Sequence, residues 1–265
     1  MTMSREFKFT EAKCPFDIDP AVRALTAPQL RQHVAEFQAL LNEPCDEHTL
    51  HAFLAGRSYF FNDLIRLYNP FPVYSKVKLG HQHEMDFVCV EVGSLGVEWR
   101  FVEIESPAKC CFTKSDELSA DFFRAVEQVR TWSGWFRENI SYAGEMFPYL
   151  DQPSFFLFMG KRSDLNERRR NALKRFQYDC RQWLTVRTLD RFGSMAESCE
   201  NLVREDGGHW LAPLRAYSHA EFASRSPAPA FAWLDDNEYL EDASSRYLAD
   251  RMSEREARAV REVGS

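Results

Sequence analysis

A chain of 265 residues is long enough for one sizeable core, and 45% hydrophobic with 28% charged residues is the composition of an ordinary globular protein. No apolar run approaches the ~18 residues of a membrane span. The opening MTMSREFKFTEAK lacks the apolar stretch of a secretory signal, so the expected location is the cytoplasm, without membrane partners. A net charge of −7 argues against a protein that coats nucleic acid by bulk electrostatics, though not against local phosphate contacts.

Residues 20–43 carry apolar residues at helical spacing and predict one or two short helices. Asp46 is placed to cap a further helix over 48–67, which Asn69-Pro70 and Pro72 end. Three strands follow: VYSKVKLG at 73–80, EMDFVCVEV at 84–92 and VEWRFVEIES at 97–106. An amphipathic helix spans 118–139, with apolar residues at 118, 122, 126, 129, 132 and 136. SFFLFMG at 154–160 reads as a buried strand, 165–183 as a second long helix and LTVRT at 184–188 as a last short strand. The order describes an α/β fold, a mixed α+β sheet flanked by helices. Beyond about 205 the pattern weakens to loop-like sequence and a charged helix over 236–262. The chain therefore divides into an N-terminal helical segment at 1–45, a central domain at 46–205 and a C-terminal loop and helical extension at 206–265.

The seven cysteines, at 14, 45, 89, 110, 111, 180 and 199, form no CxxC pair and read as reduced thiols rather than a zinc site.

The stretch WRFVEIESP, 99–107, carries the chemistry. Trp99 and Phe101 define an apolar strand face, and Glu103 and Glu105 continue that same face. Gly93-Ser94-Leu95-Gly96 reads as a four-residue hairpin loop. If Val92 faces Val97, then Val90 meets Trp99, Val88 meets Phe101, Asp86 meets Glu103 and Glu84 meets Glu105. Four carboxylates then gather at the open end of the hairpin. Directly opposed residues have Cβ atoms roughly 4.5–5.5 Å apart, and like charges that close repel. Protons on raised-pKa carboxyls relieve this, and so does a divalent cation; hard oxygen ligands on strands suit Mg²⁺ or Mn²⁺. The plain alternative is a set of solvated strand-end acids.

Asp86, followed by an ExE-P motif at Glu103, Glu105 and Pro107, resembles the PD-(D/E)xK restriction-endonuclease-like fold. More narrowly, Val73 to Thr188 is similar to the catalytic domain of the Shedu anti-phage defence nucleases. YSKVKLG with EMDFV, FVEIESP, FTKSDELSADFFRAVEQVRTWSGWFREN and FFLFMGKRSDLNERRRNALKRF carry the likeness. The resemblance implies that 46–205 is a nuclease-like domain of a homo-oligomeric (dimeric or tetrameric), Mg²⁺- or Mn²⁺-dependent endonuclease acting on double-stranded DNA. It makes Asp86 and Glu103 the principal metal ligands and Glu105 a further ligand or a base. Glu105 stands where the fold usually has lysine, which leaves the base open, although some restriction enzymes of this fold carry Glu there. Gln128 matches the glutamine behind the motif, where it would orient water or a ligand. Glu47 is a candidate for the acid of the preceding helix, in competition with Asp46 and Glu43.

For DNA contact, the segment 161–176 holds seven basic residues against two acidic ones. Lys161, Arg162, Arg168, Arg169, Lys174 and Arg175 are candidates there, with Arg170 on the same helix, and Lys114 and Arg124 near the start of the 118–139 helix. Such a run also reads as a solvated face. His81 and His83 read as turn histidines, and Trp132 and Trp135 as core or interface residues. The rival readings are a non-catalytic binding module on the same fold, a glycoside hydrolase, whose carboxylates would need wider separation, and a protein–protein regulator.

Overall fold

The alternation in the sequence becomes a five-stranded sheet in the computed structural model, which describes residues 24–65, 73–93, 96–147, 150, 152–200, 210–211 and 215–225. All belong to one unit, Ile18–Arg225. The expected helix over 236–262 lies outside the described residues.

A short strand β1 (Ala24–Leu25) pairs antiparallel with β7 (Trp210–Leu211). The main sheet holds β2 (Val73–Leu79), β3 (His83–Gly93), β4 (Gly96–Ile104), β5 (Ser154–Phe158) and β6 (Leu184–Arg187), side by side in that order. The first three are antiparallel, and β4, β5 and β6 are parallel. The sheet is therefore mixed, as expected. Parallel neighbours need crossovers. Helices α4 (Ala120–Glu138) and α5 (Ile140–Met146) lie between β4 and β5, and α6 (Glu167–Cys180) lies between β5 and β6.

The hairpin register is the expected one: Val92 faces Val97, Val90 faces Trp99 and Val88 faces Phe101. Gly93 also pairs with Gly96, so the connection is two residues, 94–95, rather than the four read from the sequence. The register is unaffected because the loop shortens symmetrically.

Helix α1 (Ala27–Asn42) opens with a capping box between Thr26 and Gln29. Helix α2 (Glu47–Ala55) is capped by Asp46, whose carboxylate accepts the Thr49 N–H at 2.7 Å. The expected helix over 48–67 stops at Ala55. After Gly56, a 3-10 turn (Ser58–Phe61) leads into α3 (Asn62–Ile65). All four residues of that turn are buried. A regular helix lays only one stripe against a core, so the tighter turn is what lets Tyr59, Phe60 and Phe61 enter together.

One sheet face buries Val73, Phe87, Cys89, Val102, Ile104 and Phe158 against α1, α2, α3 and α7 (Asp190–Ser198). Phe158 stacks on Phe192 of α7 with ring centroids 4.1 Å apart. On the other face, Phe101 meets Phe136 of α4 at 4.7 Å and Phe147 at 5.1 Å. Ser119 caps α4 by accepting the Phe122 N–H at 3.1 Å. The stripe Phe122, Ala125, Val126, Val129, Trp132 and Phe136 is buried, as its spacing predicts. Each such side chain is worth roughly 1.5–3 kcal/mol of burial, so α4 is firmly seated. Helix α6 buries only Cys180 and touches α4 through Phe176, 4.9 Å from Phe122. Helix α8 (His219–Arg225) packs Phe222 against Tyr74 at 4.9 Å. No described helix is long and apolar enough to cross a membrane.

Gly160, just after β5, has φ +70°, and a Cβ there would stand 3.0 Å from Cys111 Sγ. The left-handed conformation alone costs a side-chain-bearing residue about 1–2 kcal/mol. Gly160→Ala should therefore destabilise by about 1–2 kcal/mol, lowering Tm by roughly 2–8 °C for a domain of this size, a shift that a thermal melt will read.

Candidate metal and catalytic centre

The site begins where the sheet opens. The β3–β4 ladder runs as far as Phe87↔Val102. Beyond it β3 stays with β2, through Met85↔Val77 and Glu84↔Lys78, while β4 stays with β5, through Glu103↔Leu157 and Ile104↔Phe158. The Ile104 N–H is buried and needs an acceptor. Asp86 provides it: Oδ2 accepts that N–H at 2.9 Å, a side chain standing in for a strand. The sequence reading paired Asp86 with Glu103 and Glu84 with Glu105 by backbone register. Those pairs are not among the ladder pairs, yet Asp86 still crosses to β4.

Asp86, Glu103 and Glu105 are 4%, 4% and 5% exposed, so these are core carboxylates rather than solvated strand-end acids. Asp86 Oδ1 accepts from Lys76 Nζ at 2.5 Å. Glu103 Oε1 accepts from the Gln128 side-chain amide at 2.6 Å. Glu103 Oε2 is buried with no hydrogen-bond partner. Glu105 is engaged by the Lys109 ammonium, which also lies 3.6 Å from Glu47. Asp46 is occupied as a helix cap, whereas Glu47 is turned into this charge network. Glu84 is exposed, 3.8 Å from Lys76. His51 lies under the site, stacked on Phe87 at 4.4 Å with Nε2 3.3 Å from the Asp86 carbonyl oxygen. No hydrogen bond ties His81 or His83 to the carboxylates among the described residues. Trp132 is buried in the core.

Burial raises the Glu103 pKa well above the ordinary carboxylate range, and the Asp86 and Glu105 charges add to it. Burial also raises Glu105, against the opposing hydrogen bond and charge of Lys109. At Lys76 burial acts downward, but the Asp86, Glu84 and Glu103 carboxylates outweigh it and the pKa rises. An Asp86–Glu103 hydrogen bond exists only when one of the two is protonated. With both ionised, Glu103 Oε2 has no hydrogen-bond donor.

That orphaned oxygen tests whether a divalent cation fits. A hard cation suits two or three carboxylates of this kind. No group of three or more His, Cys, Asp and Glu side chains is placed to hold a metal ion among the described residues. Mg²⁺ does not need one: it keeps several waters and binds through one or two carboxylates plus substrate phosphate. Asp86 and Glu103 fit that requirement, with Glu105 beside them.

The basic candidates separate into two groups. Lys161 Nζ donates to the Leu41 carbonyl oxygen at 3.0 Å, closing the end of α1. Arg169 is half-buried, donating to Asp116 Oδ1 at 2.5 Å and to the carbonyls of Asp164 and Thr113. Both residues hold the fold. Arg124 pairs with Asp121 on its own helix. Lys114, Arg162, Arg168, Arg170, Lys174 and Arg175 are exposed, and none forms an ion pair among the described residues.

Sequence reasoning missed Lys76 and Lys109. The pairs Ser75↔Phe87 and Val77↔Met85 set Lys76 opposite Asp86, so continuing the hairpin argument to β2 would have found it. Lys109 follows Glu105 by four positions, which signals nothing outside a helix.

The raised Glu103 pKa has a consequence in chelator. An acid whose folded pKa lies above its unfolded value binds more protons folded than unfolded between the two, so stability falls as pH rises through that window. Metal-free wild type should lose stability relative to Glu103→Gln from about pH 4.5 upward. Melts of both proteins across pH 5–8 in chelator should diverge; parallel profiles would refute the burial argument.

The whole arrangement, from α2 through β6, lies within a stretch that matches a known family. No match is found among curated proteins. The family model described as "Shedu protein SduA, C-terminal" matches residues 45–192, more than half of the chain, and spans Glu47, Asp86, Glu103, Glu105 and Gln128. The chain therefore belongs to the Shedu family.

Proposed function

We propose that this protein is a divalent-metal-dependent DNA endonuclease acting in anti-phage defence. Family membership points to the defence role. The observation that supports the chemistry is the buried carboxylate cluster at the strand opening, with Glu103 Oε2 left unpartnered. A bare arrangement of that kind is unfavourable in a purely structural core, and it suits a cation-binding centre.

In this reading Asp86 and Glu103 hold Mg²⁺ or Mn²⁺. When bound, the cation polarises a phosphoryl oxygen, acidifies water and stabilises the leaving oxygen. The chain's own groups do the rest. Gln128 fixes the Glu103 carboxylate through Oε1. Glu105, with its raised pKa, accepts a proton from the attacking water once Lys109 yields. His51 and the Ile104 N–H fix Asp86 from behind. In the hydrolysis a water oxygen bonds to phosphorus, and the bond from phosphorus to the leaving sugar oxygen breaks with its electron pair on that oxygen. One water hydrogen ends on the leaving oxygen and the other is released as a proton.

Double-stranded DNA would approach through the exposed cations of α6. Arg168 and Arg175 line an open depression with Asn166, Asn171 and one acid, Glu167. A homo-oligomer, dimer or tetramer, is part of the proposal and rests on the family resemblance.

A second reading has one observation in its favour. Lys76 and Lys109 already oppose Asp86 and Glu105, as they would in a non-catalytic nucleic-acid or protein-binding module that never takes a metal. Chelator separates the two, because such a module binds equally with and without it.

Supercoiled plasmid incubated with Mg²⁺, Mn²⁺ or chelator tests the proposal. Wild type should nick or linearise it only with metal, and Glu103→Ala or Asp86→Ala should abolish cutting while the protein stays folded. Gln128→Ala, which removes a partner of a ligand rather than a ligand, should lose about 10–100-fold. Cutting by Glu103→Ala at the wild-type rate would place the chemistry elsewhere. Replacing Arg168 and Arg175 together by Glu should weaken DNA binding and flatten its dependence on log[salt] by about two contacts' worth, a slope near 1.8; an unchanged slope would remove α6 from the interface.

A further inference from the structure

Lys76 stands in the middle of β2 with φ +54°. The pairs on either side, Ser75↔Phe87 and Val77↔Met85, keep one register. No residue has been inserted, so this is not a bulge that the ladder needed. A lysine has no short polar group to ease a left-handed backbone, as Asn and Asp do. The conformation is therefore held in place by its surroundings, and such residues concentrate where function requires a particular side-chain placement.

What this backbone delivers is an ammonium 2.5 Å from Asp86 Oδ1 and 3.8 Å from Glu84. The Asp86 side chain is 5% exposed and that of Lys76 is 42% exposed. Lys76 thus reaches from solvent onto a buried carboxylate. Lys109, the other ammonium in the network, is held between Glu105 and Glu47. Glu103, Glu105 and the Gln128 amide, the other groups described at the opening, carry no positive charge. An anionic substrate that gains charge as it reacts needs a cation which is charged, mobile and open to solvent. Lys76 is charged and its side chain is 42% exposed; mobility is the further property that catalysis would ask of it.

We propose that Lys76 is a catalytic residue of the phosphodiester hydrolysis: its ammonium exchanges from Asp86 to a non-bridging oxygen of the scissile phosphate. This rests on the nuclease reading above. Lys76 gives up no proton; it contributes charge, while bond making and breaking follow the balance already given. The exchange has a second consequence. In the substrate-free protein Lys76 competes with a divalent cation for Asp86 Oδ1, so removing its charge should not weaken metal binding.

The test uses the full chain with Lys76→Met, Lys76→Arg and Lys76→Gly. Glycine suits φ +54°, and so guards against a variant that fails only by misfolding. Three quantities are measured: the single-turnover rate on supercoiled plasmid with Mg²⁺, Mn²⁺ affinity without DNA, and Tm. Lys76→Met and Lys76→Gly should lose about 100-fold or more in rate, the scale of one charge-stabilising group. Their Mn²⁺ affinity should be equal to or tighter than wild type. Lys76→Arg, which keeps the charge, should recover most of the rate.

Rate loss accompanied by an equal loss of Mn²⁺ affinity would make Lys76 a structural prop for Asp86 and overturn the assignment. Undiminished cutting by Lys76→Met, with wild type active, would overturn it while leaving the nuclease reading intact. Absence of cutting by wild type on supercoiled and linear DNA, with either metal, would refute both.

Discussion

Burying carboxylates together is the constraint from which the site follows. Two like charges about 4 Å apart at an effective dielectric near 20 repel by about 4 kcal/mol, a large share of the 5–15 kcal/mol that typically holds a whole domain. Asp86, Glu103 and Glu105 cannot all stand ionised in the core without compensation. The compensation visible in the structure is specific: an N–H and an ammonium on Asp86, an amide on one oxygen of Glu103, and an ammonium on Glu105. It stops one oxygen short. That oxygen, Glu103 Oε2, is where the network is short of a proton or, in the proposed function, of a cation, and the raised Glu103 pKa expresses the same shortage.

The scaffold makes this arrangement affordable. Aromatic layers lie on both faces of the hairpin, Phe87 with Phe61 and His51 on one side and Phe101 with Phe136 and Phe147 on the other. They pack β3 and β4 from both sides up to the last ladder pair. Past that point each strand is held by its outer neighbour, so the opening is fixed from both sides rather than frayed. Asp86 then bridges it.

The hairpin was legible because both strands alternate, and alternation fixes the face and, with a short symmetric loop, the register. Alternation cannot say where two backbones cease to pair, so the ladder end after Phe87 was not legible and the acids were assigned cross-strand partners they do not have. The α4 stripe followed from helical spacing, whereas Gln128 was singled out by the family resemblance and not by its spacing. The inward turn of Arg169 followed from neither, because its partner Asp116 comes from a loop 53 residues earlier. The break at Gly56 was missed for a similar reason: SYFF reads as a continuation of an apolar helix until the core on every side of it is known. Nothing in the letters VYSKVKL marks a left-handed lysine, since residue type announces that conformation only for Gly, Asn and Asp.

The distribution of positive charge separates the fold's needs from those of a ligand. Lys161 and Arg169 lie within the basic run, yet both are consumed: one satisfies a terminal carbonyl of α1 and the other ties the loop carrying Thr113 and Asp116 to the start of α6. Removing either would cost stability before it cost any affinity. Arg168, Arg170, Lys174 and Arg175 are on the same helix but make no ion pair among the described residues, and their mutual repulsion works against the helix that carries them. A chain with net charge −7 has ample acid to neutralise them. Four neighbouring cations nonetheless stay exposed on a helix that buries only Cys180, and in the proposed function the phosphates of DNA would supply their countercharge.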